Sequence, residues 1–413
     1  MPYARRLATL LAILLLPLLA TPSAALARRG RTIHLKVPRF EVPPRSDLEI
    51  CTFLRLPGGK PIDNAETLIV NLGGNDEFTS HHFLMWQYLG TDIDAFPAKG
   101  TITPGEACID FGPGDTNQRA LIAGSQSPRA LSKLPQGLAQ RLEPTTPNGG
   151  KPVIGLILNT HWINSSDRPQ HAAVKITMRP VKRGAIKRYI KPLFEVVANA
   201  FIKVAPNTTD ETGFAWAPGG IDFGGAFGGG SVPTGPACVA MVTAHMHKRG
   251  KLFEVAFHDG VNPDRMLYST TDYSDPGQLI FDGRAGRPAP LLVRPGQSLR
   301  YGCTHDNGVT TAVKLGCEED AGVAPGFAIL ELIQQQRGEL EHAAKRCTTD
   351  ADCPATDPAY PKRTFTGRCV PANLVFGFTS DDDMCILPGA YYDANVDAPP
   401  GQECDLDLLP AVN

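Results

Sequence analysis

Short apolar runs broken by turn residues make up most of this chain, and long amphipathic helices are few, a pattern of strands rather than of helices. Residues 49–54, 67–70, 83–89 and 173–178 read as strands bounded by turn residues. Val153-Ile154-Gly155-Leu156-Ile157-Leu158 is apolar throughout and runs on to His161, the pattern of a strand buried on both faces. Residues 239–245, 252–258 and 291–294 read as further strands. Between them, a basic segment at 182–191 gives way to strand-like apolar residues at 190–204. A Pro- and Gly-containing stretch from about 123 to 152 reads as loop with one short helix at most. Only residues 327–346 have a convincing helical period, with Leu330, Leu332, Ile333 and Leu340 on one side.

These elements predict an all-β protein with a domain boundary near residues 180–190. A chain of 413 residues can build two cores, and its 41 glycines and 37 prolines suit a turn-rich fold. The expected domains are 28–185 and 186–413. Within the second, about 317–370 stands apart: the predicted helix is followed by Cys347-Thr-Thr-Asp-Ala-Asp-Cys353 and then Cys369, which reads as a small disulfide-stapled insert. The glycine-rich stretch 219–230 lacks the spacing of a phosphate-binding loop and reads as a plain loop.

Residues 1–27 read as a signal peptide. Arg5 and Arg6 precede an apolar run from Leu7 to Ala20, and Ala25-Leu26-Ala27 is a small-x-small cleavage signal. The expectation is a secreted or periplasmic protein cleaved near Ala27, with no transmembrane span. Ten cysteines, an even number, then predict disulfides. Charge is balanced, with 40 Lys+Arg against 42 Asp+Glu, so no nucleic-acid partner is expected. Asn164-Ser165-Ser166 and Asn207-Thr208-Thr209 fit the glycosylation sequon, a pattern short enough to arise by chance.

Five of the ten histidines fall at three places: His81-His82, His161 at the end of the apolar strand, and His245-Met246-His247. In a strand, His-x-His puts both imidazoles on one face, so both can reach one metal. Adjacent histidines point to opposite faces and can share a metal only at a bulge or strand end. Imidazole alone leaves zinc, copper and iron open. Met384, in Ser380-Asp381-Asp382-Asp383-Met384-Cys385, adds a soft thioether, which favours Cu(I) over zinc. The remaining histidines, His34, His171, His258, His305 and His342, read as structural or surface residues, with His305 nearest to the second cluster because it follows Cys303.

His-His-Phe-Leu-Met, a lone His after an apolar strand, His-x-His followed by Gly250, and Ser-Asp-x-x-Met-Cys occur in this order. In these motifs, over residues 40 to 404 apart from the insert, the chain resembles the copper type II ascorbate-dependent monooxygenases, the family of peptidylglycine α-hydroxylating monooxygenase and dopamine β-hydroxylase. The resemblance implies two antiparallel, jelly-roll-like β-sandwich domains with one copper on each, facing a solvent-filled cleft. His81, His82 and His161 would hold the electron-transfer copper. His245, His247 and Met384 would hold the oxygen-binding copper and form the catalytic site. Cys51 matches a family cysteine position and would pair with Cys108. Cys303 would pair with Cys385 and Cys238 with Cys404, leaving Cys317, Cys347, Cys353 and Cys369 to pair among themselves in an order left open.

The implied activity is hydroxylation of a C–H bond of a small organic substrate by O2, with two coppers per chain and ascorbate or another one-electron donor as reductant. The chain departs from the family where substrate is held. Peptidylglycine enzymes carry an Arg two residues before the His-x-His, where this chain has Thr243. They carry Asn and Tyr after the Met-Cys pair, where it has Ile386 and Pro388, so glycine-extended peptides are not the expected substrate. Asn159 replaces a Gln two residues before the lone His. The alternative is a secreted copper-binding protein of the same fold without oxygenase activity.

Overall fold

The computed structural model describes residues 30–72, 78–104, 119–125, 129–146, 150–220, 231–319, 346–356, 364–377 and 382–412. The signal segment, the helix expected at 327–346 except for Arg346, most of the glycine-rich stretch, Cys108 and His342 lie outside them. The described residues are mostly strand. Their helical structure consists of 3-10 turns at Arg183–Ala185, Val197–Phe201 and Asp350–Asp352. None of their helices is long and apolar enough to cross a membrane.

Two β-sandwiches follow one another, as expected. In the first, one sheet runs Ile33–Val42, Gln170–Pro180, Ile62–Leu72, Leu138–Leu142, Arg188–Tyr189, with Arg129–Lys133 also paired to Ile62–Leu72. Its partner sheet runs Ile102–Pro104, Ser46–Pro57, Val153–Asn164, Phe78–Tyr88, Arg119–Ser125. In the second sandwich, one sheet runs Lys191–Glu195, Cys385–Asp393, Ala237–Thr243, Gln278–Ile280, with His245–Met246 on Cys385–Asp393 and Leu291–Val293 on Ala237–Thr243. The other runs Thr208–Trp216, Ser298–Asn307, Gly250–His258, Arg265–Thr270. Pairing within these sheets is antiparallel except where Arg188–Tyr189 meets Leu138 and Ala139. The chain crosses between sandwiches around Ile190, whose amide still bonds Ala139.

Two local expectations need correcting. The segment 123–152 contains the strands Arg129–Lys133 and Leu138–Leu142 rather than a loop. Each is only five residues long, and Gly137, at φ +90°, turns the chain between them, so the turn residues mask the alternation. Residues 190–204 are not all strand, because the 3-10 turn at Val197–Phe201 interrupts them.

Three apolar clusters stack the sheets into four layers. Leu54, Phe83, Met85, Leu156, Leu158 and Trp162 join Val37, Ile69, Val174 and Ile176 inside the first sandwich. Leu193, Val239, Leu387 and Tyr391 meet Trp216, Phe253, Leu299 and Tyr301 inside the second. Between the sandwiches, Phe53, Trp86, Tyr88 and Ile157 from one side pack against Phe194, Val196, Met384 and Ile386 from the other. Trp86 and Phe194 meet edge to face at 5.1 Å. The unbroken apolar run at 153–158 is thereby explained: alternate residues face the sandwich core and the neighbouring domain.

Disulfides join Cys303 to Cys385 and Cys238 to Cys404, as the resemblance implied. The insert is stapled by Cys317–Cys353 and Cys347–Cys369. Cys51 is also disulfide-bonded, and Cys108 lies outside the described residues. Asn164 is buried, and its amide nitrogen donates to the carbonyls of Val42, Pro43 and Arg168, so this sequon forms part of the core.

Candidate metal centre

The first histidine group rests on a bulge. Phe78–Tyr88 pairs with Val153–Asn164 so that Ser80 faces Trp162 and His82 faces His161, with His81 as the extra residue between them. This is the distortion that neighbouring histidines need in order to serve one site. The side chain of His81 lies outside the described ones. The rings of His82 and His161 are 5.1 Å apart and both are buried.

Each of these rings is oriented by an acceptor on its far side. His82 Nε2 donates to Asn159 Oδ1 at 2.8 Å, and Asn159 Nδ2 donates to Glu49 Oε1 at 2.6 Å. His161 Nε2 donates to Asp47 Oδ1. A neutral imidazole that donates from Nε2 carries its lone pair on Nδ1, and the Nδ1 atoms of both rings are buried. No motif marks Asp47 or Glu49 in the sequence. The signal was the alternation of Asp47, Glu49, Cys51 and Phe53, which puts all four on the interdomain face of one strand. Burial opposes ionisation of Glu49, but its hydrogen bond and charge interaction with His82, helped by His161 and Asn159, outweigh it and leave the carboxyl below its usual pKa.

The second group lies on the strand His245–Met246 and the residue after it. Met246 turns into the core of its own sandwich and lies so close to Gly250 that a β-carbon there would sit 2.7 Å from Met246 Sδ. The two imidazoles therefore share the opposite side, with rings 5.4 Å apart. His245 pairs with Ile386 and Met246 with Cys385, so that His247 and Met384 are the next residues beyond this pairing. Asp383 binds the two together: its Oδ1 accepts from the amides of His247, at 3.1 Å, and Met384, at 2.8 Å. His247 Nδ1 donates to the Asp382 carbonyl at 3.2 Å, which leaves the lone pair on Nε2. The Nδ1 atoms of His82 and His161 and the Nε2 atom of His247 are buried and take part in no hydrogen bond.

His305 belongs to this network as a support. Its Nδ1 bonds Asp383 Oδ2 at 2.7 Å and its Nε2 bonds Thr212 Oγ1 at 2.6 Å, with both His305 and Asp383 fully buried. Arg346, at the edge of the insert, pairs with Asp382 at 2.6 Å. Cys303, His305 and Cys385 also converge, but both sulfurs are consumed in a disulfide and offer no thiolate to a metal. Cys317, Cys347 and Cys353 are spent in the same way. His34 and His258 make surface contacts, to Thr177 and Asp264, and His171 is exposed.

The two groups meet. The rings of His82, from the first sandwich, and His245, from the second, are 5.5 Å apart. Both residues are nearly inaccessible, at 3% and 6% exposed, so the expected solvent-filled cleft is closed at this point. Burial, followed by the neighbouring His247, His82 and His161, holds His245 well below the usual imidazole pKa. Burial pushes His247 down to about 4, against the pull of Asp383. Both rings are neutral at ordinary pH, the form that binds metals. Beside His245 the interdomain seam opens into a cavity of about 280 Å³.

No protein-family model matches the chain, and no curated protein matches it. Among solved structures, one match is described as "Life in the extremes: atomic structure of Sulfolobus Turreted Icosahedral Virus". It is 10% identical, covers 67% of this chain and 90% of the viral one, and has a TM-score of 0.22, a likeness that bears on neither fold nor function.

Proposed function

We propose that this protein is a copper-dependent monooxygenase that hydroxylates a C–H bond of a small organic molecule with O2. The observation that carries the proposal is the run of four buried imidazoles, His161, His82, His245 and His247, at successive ring distances of 5.1, 5.5 and 5.4 Å. Buried Met384 flanks the run through the Asp383 bridge to His247. Four imidazoles and a thioether, with no cysteine thiolate among the donors, fit copper better than zinc, calcium or magnesium. His81, His82 and His161 would hold one copper, and His245, His247 and Met384 the other.

Copper at these positions would supply one-electron transfer and oxygen activation. In the net reaction, one atom of O2 enters the substrate as hydroxyl and the other leaves as water. Two protons and two electrons are consumed, the electrons coming from ascorbate or another one-electron donor. The chain's own residues set the conditions. Asn159, Asp47 and the Asp382 carbonyl fix three ring orientations through the nitrogen opposite the ligating one. Asp383 fixes the backbone at His247 and Met384 together. Burial keeps bulk water away from the rings. Export of the chain through its amino-terminal segment belongs to the same proposal and agrees with the disulfides.

The test measures ascorbate-dependent oxygen consumption by copper-loaded, dialysed protein over a panel of small organic substrates, in wild type and in Met384→Ala. Uptake that depends on substrate and is abolished in Met384→Ala supports the oxygenase. Full copper binding without oxygen uptake on any substrate overturns it in favour of a copper-binding protein.

A further inference from the structure

The cavity beside His245 lies between the sandwiches, and both contribute to its wall. Leu84, Leu121 and Ile122 line it from the first, and Met241, Pro388 and Ala390 from the second. Two polar side chains of this wall are already engaged. Gln140 Nε2 donates to the Leu121 carbonyl at 2.6 Å, and Thr243 Oγ1 donates to the Gly277 carbonyl. Among the described residues, Arg129 and Asp275 are the charged side chains that line it. Both are exposed, and they are of opposite sign.

We propose that this cavity binds a neutral, predominantly apolar small molecule, of the size of one substituted ring, and that this molecule is the substrate. The second half of the statement rests on the copper reading, because His245 is the wall residue that would bring a C–H bond to the metal. The first half rests on the wall alone. An ionised group taken into an apolar cavity needs a buried countercharge, and the charged side chains of this wall, Arg129 and Asp275, are exposed. An apolar ring needs only shape and dry surface. Thr243 and Pro388, two of the positions at which the chain departs from the family it resembles, both line the cavity, and neither carries a charge.

The experiment titrates metal-free protein with three probes of one shape and different charge, benzyl alcohol, benzoate and benzylamine, followed by ligand-observed NMR. Benzyl alcohol should bind at least about ten-fold more tightly than either ion, since burying an unpaired charge costs more than the ~1.4 kcal/mol that a factor of ten represents. Ala130→Trp, which fills the cavity from a partly exposed wall position, should remove that binding while circular dichroism stays that of wild type. Thr243→Arg should reverse the preference toward benzoate. Equal binding of the three probes, preference for an ion in wild type, or benzyl alcohol binding unchanged in both variants would overturn the proposal. Copper content, measured separately, tells which idea failed. Neutral-probe binding without copper stoichiometry retains the cavity and sinks the metal assignment, and the converse result sinks the cavity alone.

Discussion

Asp383 ties the second histidine group together, and its removal should be costly. One carboxylate oxygen holds the amides of His247 and Met384, and the other holds fully buried His305. Asp383→Ala leaves three buried donors without an acceptor and should lower stability by about 3–5 kcal/mol in urea unfolding, whereas Asp383→Asn, which keeps one acceptor, should lose less. His247 gives a second expectation for the metal-free protein. Its folded pKa of about 4 lies below the 6.5 of an unfolded imidazole, so between these values the unfolded chain binds more protons. The stability due to the neutral ring is therefore complete above pH 6.5, declines as pH falls, and levels off near pH 4, a loss of about 3 kcal/mol for this group. His245 titrates in the same direction. Denaturation midpoints of apo protein from pH 7 to pH 4 check this, and a flat profile would contradict it.

Single elements account for what the sequence disclosed and what it withheld. The strand 153–158 was legible because an uninterrupted apolar run of that length, with turn residues before it, suits a strand covered on both faces. The His-x-His pair was legible because alternation alone assigns its face. The bulge at His81 was legible only as a requirement: no residue type marks it, and it is a property of the pairing with Val153–Asn164. Asp47 and Glu49 were hidden for the same reason. Asp47 supports His161 from a neighbouring strand more than a hundred residues away in sequence, and Glu49 lies on that same strand beside His82. The strands at 129–133 and 138–142 were too short to outweigh the turn residues around them. At the carboxyl-terminal strand, Cys303–Cys385 closes a sequence separation of 82 residues immediately beside Met384. Replacing both cysteines by alanine should cost about 4 kcal/mol in denaturant unfolding, as expected for a loop of that length. It should also weaken copper retention at the Met384 site more than at the His161 site.

On the scale of the whole molecule, two sandwiches press a shared apolar layer between them and bring histidines from both halves into one buried row. That contact depends on domain docking, which no local pattern encodes. The sequence therefore assigns each ligand group to its own domain without disclosing that the groups touch. The central claim is that this row holds two metal ions, one per domain. It is tested most directly by metal analysis of copper-loaded, dialysed protein in wild type, His161→Ala and His247→Ala, each checked for folding by circular dichroism. Two coppers per chain are expected in the wild type and one in each variant, with the Met384 site surviving in His161→Ala. A single copper in the wild type, lost in both variants, would mean that the four imidazoles share one ion across the interface and would contradict the two-site assignment.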